Sequence, residues 1–167
     1  MAKQGSGVKL DRIDLNILSV LQRRGRITKL ALAEQVHLSP TPCWERLKRL
    51  EETGIIAGYH ARIALNKIAS STTLWTEVTL RKHGREDFGR FEAAVKSRPE
   101  IVECWAIGGG IDYLMKVVAR DVDGYQRMVD ELLEAEVGID RYFTYIVTKP
   151  VKEGGELPID SLLRPAS

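Results

Sequence analysis

Cysteine is nearly absent from this sequence. Cys43 and Cys104 are the only two in 167 residues, far apart and in apolar contexts. That excludes a disulfide scaffold and suits buried thiols in a reducing compartment. Histidine is as sparse: His37, His60 and His83 are scattered, and the strings H-E-x-x-H, C-x-x-C and G-x-S-x-G do not occur. The common zinc-hydrolase, thiol-redox and serine-hydrolase arrangements are therefore missing. No catalytic residue, metal ligand or cofactor is expected, and the chain does not read as an enzyme. No apolar run approaches the ~20 residues that a membrane helix needs. The N-terminal MAKQGSGVK has no apolar core of a secretory signal. A cytoplasmic protein without membrane contact is expected.

What is present is ordinary in bulk and uneven in place. Hydrophobic residues make up 44% and charged residues 29%, values of a globular chain long enough for one good core or two small ones. Residues 1–62 hold 11 Lys/Arg against 6 Asp/Glu, whereas residues 63–167 hold 14 against 17. A basic first third followed by a slightly acidic remainder suggests two modules, the first facing an anionic partner. The boundaries expected are a first domain over 10–62, a linker over 63–71, a second domain over 72–152 and a flexible tail over 153–167.

The first module reads as three helices. In residues 11–23, DRIDLNILSVLQR, the apolar Ile13, Ile17, Leu18 and Leu21 have helical spacing, with Asp11 able to cap the start. Residues 28–36, TKLALAEQV, begin with a capping Thr28 and would bury Leu30, Ala33 and Val36 or near neighbours. His37-Leu38 is a short link, after which Ser39 caps a helix with Pro40 at its first position and Pro42 at its third. Proline is tolerated there because those N–H groups have no intrahelical partner. Cys43, Leu47 and Leu50 form a buried stripe; Thr41, Trp44, Glu45, Lys48 and Arg49 fall on the other surface, with Arg46 at the border. Gly54 ends the helix. The segment Tyr59–Ala64 alternates and would pair as a small wing strand. Two short helices with a tight link, the second polar and basic outside, describe a helix-turn-helix whose second helix reads the major groove. The plainer reading of the same residues is a solvated helix face.

The strings LDRIDLNILSVLQRRGRIT and LALAEQVHLSPTPCWERLKRLEETGIIAGYHA, with YIVTKPVK near the end, resemble the Lrp/AsnC family of transcription regulators over about residues 10–152. The resemblance implies DNA binding. Thr41, Glu45, Lys48 and Arg49 would contact bases or phosphates. Ser39 would stand at the start of the same surface, Arg46 would contact phosphate or brace the helix, and Lys29 would contact the backbone. Trp44 would touch DNA or cover Leu47. His37 stands where the family usually has Gly, and a left-handed His is expected there.

The second module reads as βαββαβ. Leu74, Thr76, Val78 and Leu80 alternate with Trp75, Glu77 and Thr79; helices follow over 85–98 and 122–137, and strands over 102–107, 113–119 and 141–149. This is the ferredoxin-like order. The fold class expected is thus α+β, a winged helix-turn-helix joined to a ferredoxin-like domain. Helices cover one sheet face in that arrangement, yet the strands are apolar on both, and a second subunit is the economical cover. The resemblance implies a homodimer through the sheets, often assembled into octamers. Two recognition helices would then meet a pseudo-palindromic operator. The strands show no aromatic motif of the single-stranded RNA-binding sheets, which argues against RNA.

The stretch AIGGGIDYLMKV reads first as a hairpin turn. The resemblance adds a G-x-x-D element in a loop at a dimer–dimer cleft that binds amino acids, matched by Gly109 and Asp112, with Gly108 and Gly110 opening the loop. Thr144 matches a threonine on the last strand of the same cleft. A backbone of glycines lets amides approach a ligand carboxylate, and Asp112 would accept from a ligand ammonium. The function expected is a sequence-specific DNA-binding regulator of amino-acid or related metabolism, modulated by a small amino-acid-like effector. The alternative is a ligand-sensing module that acts through protein partners without specific DNA binding.

Overall fold

A computed structural model describes residues 8–163. Two compact units emerge: residues up to Arg62 together with those from Lys152 onward, and Ile63–Val151. Among the described residues no helix is long and apolar enough to cross a membrane. The N-terminal residues 1–7, part of the stretch weighed for a signal, lie outside the described residues, as do 164–167 of the expected tail.

The first unit contains α1 (Arg12–Arg23), α2 (Lys29–Gln35) and α3 (Pro40–Glu52). Asp11 caps α1 in a reciprocal capping box with Asp14, and the Thr28 hydroxyl accepts from Ala31 N–H at 3.2 Å to start α2. His37 takes φ +56 between α2 and α3, and Gly54 takes φ +71 after α3. The core gathers Ile17, Leu18, Leu32, Ala33, Val36, Cys43, Leu47 and Leu50. Leu32 takes the buried place expected for Leu30, which is 60% exposed.

Three expectations fail here. Ser39 occupies the cap position, but its side chain makes no cap hydrogen bond. The third helical residue usually supplies an N–H for that bond, and here it is Pro42, which has none. Tyr59–Ala64 forms no strand, because a strand needs a neighbour for its backbone groups and the first unit contains no other among its described residues. Tyr59 is instead tied by its hydroxyl to Glu51 Oε1 at 2.8 Å. Residues 153–163 are not a free tail. Leu157 N donates to Gln22 Oε1 at 2.6 Å, Ile159 packs against the three-helix core, and the short α6 (Ile159–Leu163) follows. One apolar side chain, Ile159, and the backbone of Leu157 bonded to Gln22 dock it on α1.

The second unit contains β1 (Thr72–Leu80), α4 (Arg85–Lys96), β2 (Ile101–Ala106), β3 (Tyr113–Ala119), α5 (Val122–Glu134) and β4 (Ile139–Ile146). The sheet order is β2-β3-β1-β4, and every pairing is antiparallel. Strand alternation sends Leu74, Thr76, Val78 and Leu80 with Tyr113, Met115 and Val117 into one core. Phe91 and Val95 of α4 and Tyr125, Met128, Val129 and Leu132 of α5 close it. The opposite face stays open. Trp75 stands between Lys116 and Tyr145, and Glu77 between Leu114 and Phe143. Trp105, Phe143 and Tyr145 on that face are each more than half exposed. The second sheet face thus carries exposed aromatics, in keeping with strands that are apolar on both sides. They are interleaved with Glu77 and Glu103, and Lys116 is bonded to Glu103 at 3.4 Å, which is no basic track for a nucleic-acid strand.

Candidate functional site

The α2–α3 pair builds one candidate surface. On α3, Thr41, Trp44, Glu45 and Lys48 are exposed, opposite the buried Cys43, Leu47 and Leu50. Ser39 is exposed at the helix start with its hydroxyl unspent on capping. Lys29, on α2, lies with Nζ 3.1 Å from the centre of the Trp44 ring. That contact joins the two helices and places a cation over the indole face. Lys48 pairs loosely with Glu52 at 3.6 Å, both side chains well exposed.

Arg46 and Arg49 are arranged differently. Arg46 Nη1 reaches Asp11 Oδ2 at 2.6 Å and Asp14 Oδ1 at 2.9 Å. Arg49 Nη2 reaches Asp14 Oδ2 at 2.6 Å. Asp14 is almost fully buried on α1. Burial alone would raise its pKa, but the hydrogen bonds from Arg49, the Asp11 N–H and Arg46 outweigh it and hold the carboxyl below its ordinary value. At Asp11 the Asp14 N–H, then the Arg46 guanidinium, lower the carboxyl likewise. Sequence reasoning named Asp11 only as a cap and missed Asp14 and the pairing of both with the arginines. The signal was available: Asp14 precedes Ile17 and Leu18 by three and four residues, which puts a carboxylate on the buried stripe, where it needs a cation.

The glycine loop is the second candidate. Gly108, Gly109 and Gly110 are exposed between β2 and β3, with open space where a Cβ would stand at each. Gly109 has φ +157. Asp112 is turned to the protein: its Oδ2 accepts from Leu80 N–H at 2.7 Å and lies 3.1 Å from His83 Nε2. Thr144 is not beside it. β1 lies between β3 and β4, so two strand spacings, about 10 Å, separate the two residues before any offset along the strands. The Thr144 hydroxyl lies 2.5 Å from the Tyr125 hydroxyl, which lies 2.9 Å from Thr76 Oγ1. A single chain therefore gathers the glycines and Asp112 but not Thr144. Among the described residues no group of three His, Cys, Asp or Glu side chains could hold a metal ion.

Comparison with known proteins matches both units. The family model described as winged helix-turn-helix DNA-binding covers residues 10–57. The one described as Lrp/AsnC ligand binding domain covers residues 73–157. The transcriptional regulatory protein DoeX of Halomonas elongata is 53% identical over 156 residues, 93% of this chain and 99% of the relative. The leucine-responsive regulatory protein of Salmonella typhimurium is 40% identical, covering 95% of this chain and 96% of its own length. Among solved structures, a transcriptional regulator of Neisseria meningitidis in complex with L-Met superposes with a TM-score of 0.86 at 34% identity, over 93% of this chain and all of that one. An AsnC family regulator of Agrobacterium tumefaciens also gives 0.86, at 32% identity over 92% of this chain and all of its own. With a helix-turn-helix unit and a four-stranded α+β ligand-binding unit both matched along nearly the whole chain, this protein belongs to the Lrp/AsnC family of transcriptional regulators.

Proposed function

We propose that this chain is a sequence-specific DNA-binding regulator of amino-acid or related metabolism, tuned by a small amino-acid-like effector. The observation that carries the DNA half is the exposed face of α3, with Thr41, Trp44, Glu45 and Lys48 on one side and Ser39 unspent at its start. In the complex Thr41, Glu45 and Lys48 meet bases or phosphates. Ser39 and Lys29 meet the backbone, and Trp44 presents its indole edge beside them. Arg46 and Arg49 brace α3 rather than meet bases. The exposed α3 face also disfavours a sensor that acts only through protein partners.

For the effector half, one relative carries leucine in its name and one structural neighbour was solved with L-Met. Gly108, Gly109 and Gly110 offer backbone amides to a carboxylate, and Asp112 offers its second oxygen to an ammonium. Thr144 joins only in an assembly, from another protomer. The open aromatic sheet face supports a homodimer, and dimers assemble further to an octamer. The regulator acts in the cytoplasm on a pseudo-palindromic operator.

A mobility-shift titration on the DNA upstream of its own gene, at two salt concentrations and with individual amino acids, tests this reading. A specific, salt-sensitive shift altered by one amino acid is expected. Absence of any specific shift would remove the DNA role.

A further inference from the structure

Two of the three cations on α3 are committed within the protein. Asp14, 1% exposed, takes Arg46 on one oxygen and Arg49 on the other, and also accepts the Asp11 N–H at 3.0 Å. Asp11, at the rim, adds a second oxygen to Arg46 at 2.6 Å. The four charged side chains sum to zero, which leaves Lys48 as the remaining cation of α3.

We propose that Asp14, assisted by Asp11, is a specificity-determining positioning residue that competes with DNA phosphates for Arg46 and Arg49. The inference rests on the DNA-binding reading above. Phosphate attraction supplies nearly all sequence-independent affinity, and each phosphate neutralised adds about 0.9 to the salt slope. A guanidinium forks readily onto a phosphate. A buried carboxylate is less screened than a solvated phosphate, so it retains the arginines while α3 approaches DNA. Sequence-independent attraction is thereby held down, while the braced helix keeps its base-reading side chains in register. The latch also stays charged at neutral pH, since both carboxyls sit below their ordinary values.

The test compares binding to the DNA upstream of its own gene with binding to a scrambled duplex of equal length, across a range of KCl. Asp11→Asn keeps a capping oxygen but removes the charge facing Arg46. It is expected to steepen the salt slope on the scrambled duplex by about 1, and Asp14→Asn by about 2. Adding Arg49→Gln to Asp14→Asn should take back about 1, and the ratio of specific to scrambled affinity should fall in both single variants. Equal slopes in wild type and variants, with both affinities lowered alike, would overturn the proposal and leave a purely structural brace. Asp11 is exposed, so Asp11→Asn decides the matter if Asp14→Asn does not fold. A wild-type protein that binds neither duplex would overturn the DNA-binding reading as well, and is told apart by the missing wild-type slope.

Discussion

Asp112 accepts the backbone N–H of Leu80 at 2.7 Å, so the carboxylate expected to greet a ligand also stitches the glycine loop to the end of β1. Leu80 is 2% exposed, and its N–H has no water to turn to. One side chain therefore ties the glycine loop to the sheet.

The two roles separate by substitution. Asp112→Ala leaves the Leu80 N–H without this acceptor and should cost about 1–3 kcal/mol, read from the urea midpoint. Asp112→Asn keeps an acceptor and loses the charge. It should hold near wild-type stability yet lose the effector's influence on the mobility shift. An effector response retained by both variants would take Asp112 out of the effector site.

Tyr125 links Thr76 and Thr144 through its hydroxyl. Tyr125→Phe deprives the buried Thr76 of that partner and should lower stability by about 1–2 kcal/mol, shifting the midpoint without changing its slope. Thr144→Val should be non-additive with Tyr125→Phe. If Thr144→Val alters the effector response while the midpoint stays fixed, Thr144 acts on the ligand and not through Tyr125.

Acid should loosen the first unit through the Asp11–Asp14 latch. Both carboxyls have folded pKa values below the ordinary 3.8. The unfolded chain thus binds protons first as pH falls, and stability falls with it. The contribution is complete above the ordinary carboxylate value and is lost as pH drops through the lowered folded values. Urea unfolding from neutral pH to pH ~3 should show this decline, and Asp14→Asn should flatten it. An equal decline in the variant would assign it to other carboxylates.

The open sheet face should be a subunit interface. Phe143 is 55% and Trp105 58% exposed, a larger apolar display than a monomer usually keeps in water. Phe143→Glu and Trp105→Glu are expected to yield a monomer by sedimentation while the far-ultraviolet circular dichroism stays native. An unchanged mass would move the interface elsewhere.

Helix and strand positions were legible because they follow local rules. Capping by Asp11 and Thr28, the punctuation at His37 and Gly54, and the alternation through Leu74–Leu80 depend on residues within a few positions of each other. The exposed residues of α3 followed from the buried stripe opposite them. Ser39 was misjudged through one neighbour, because Pro42 withdraws the donor that a cap needs. The docked segment around Leu157 was misjudged because composition describes a stretch but not the Gln22 amide that meets its backbone or the core that receives Ile159.

Periodicity in the chain was enough to say which faces are buried, which order the elements take, and that a basic helix-turn-helix precedes a sheet domain. Partner choice belonged to packing. Arg46 and Arg49 meet Asp14 across more than 30 residues of sequence, and Thr144 turns to Tyr125 rather than to Asp112. A side chain's spacing tells whether it must be satisfied. Only the folded chain, by bringing distant donors and acceptors within 3 Å, decides by whom.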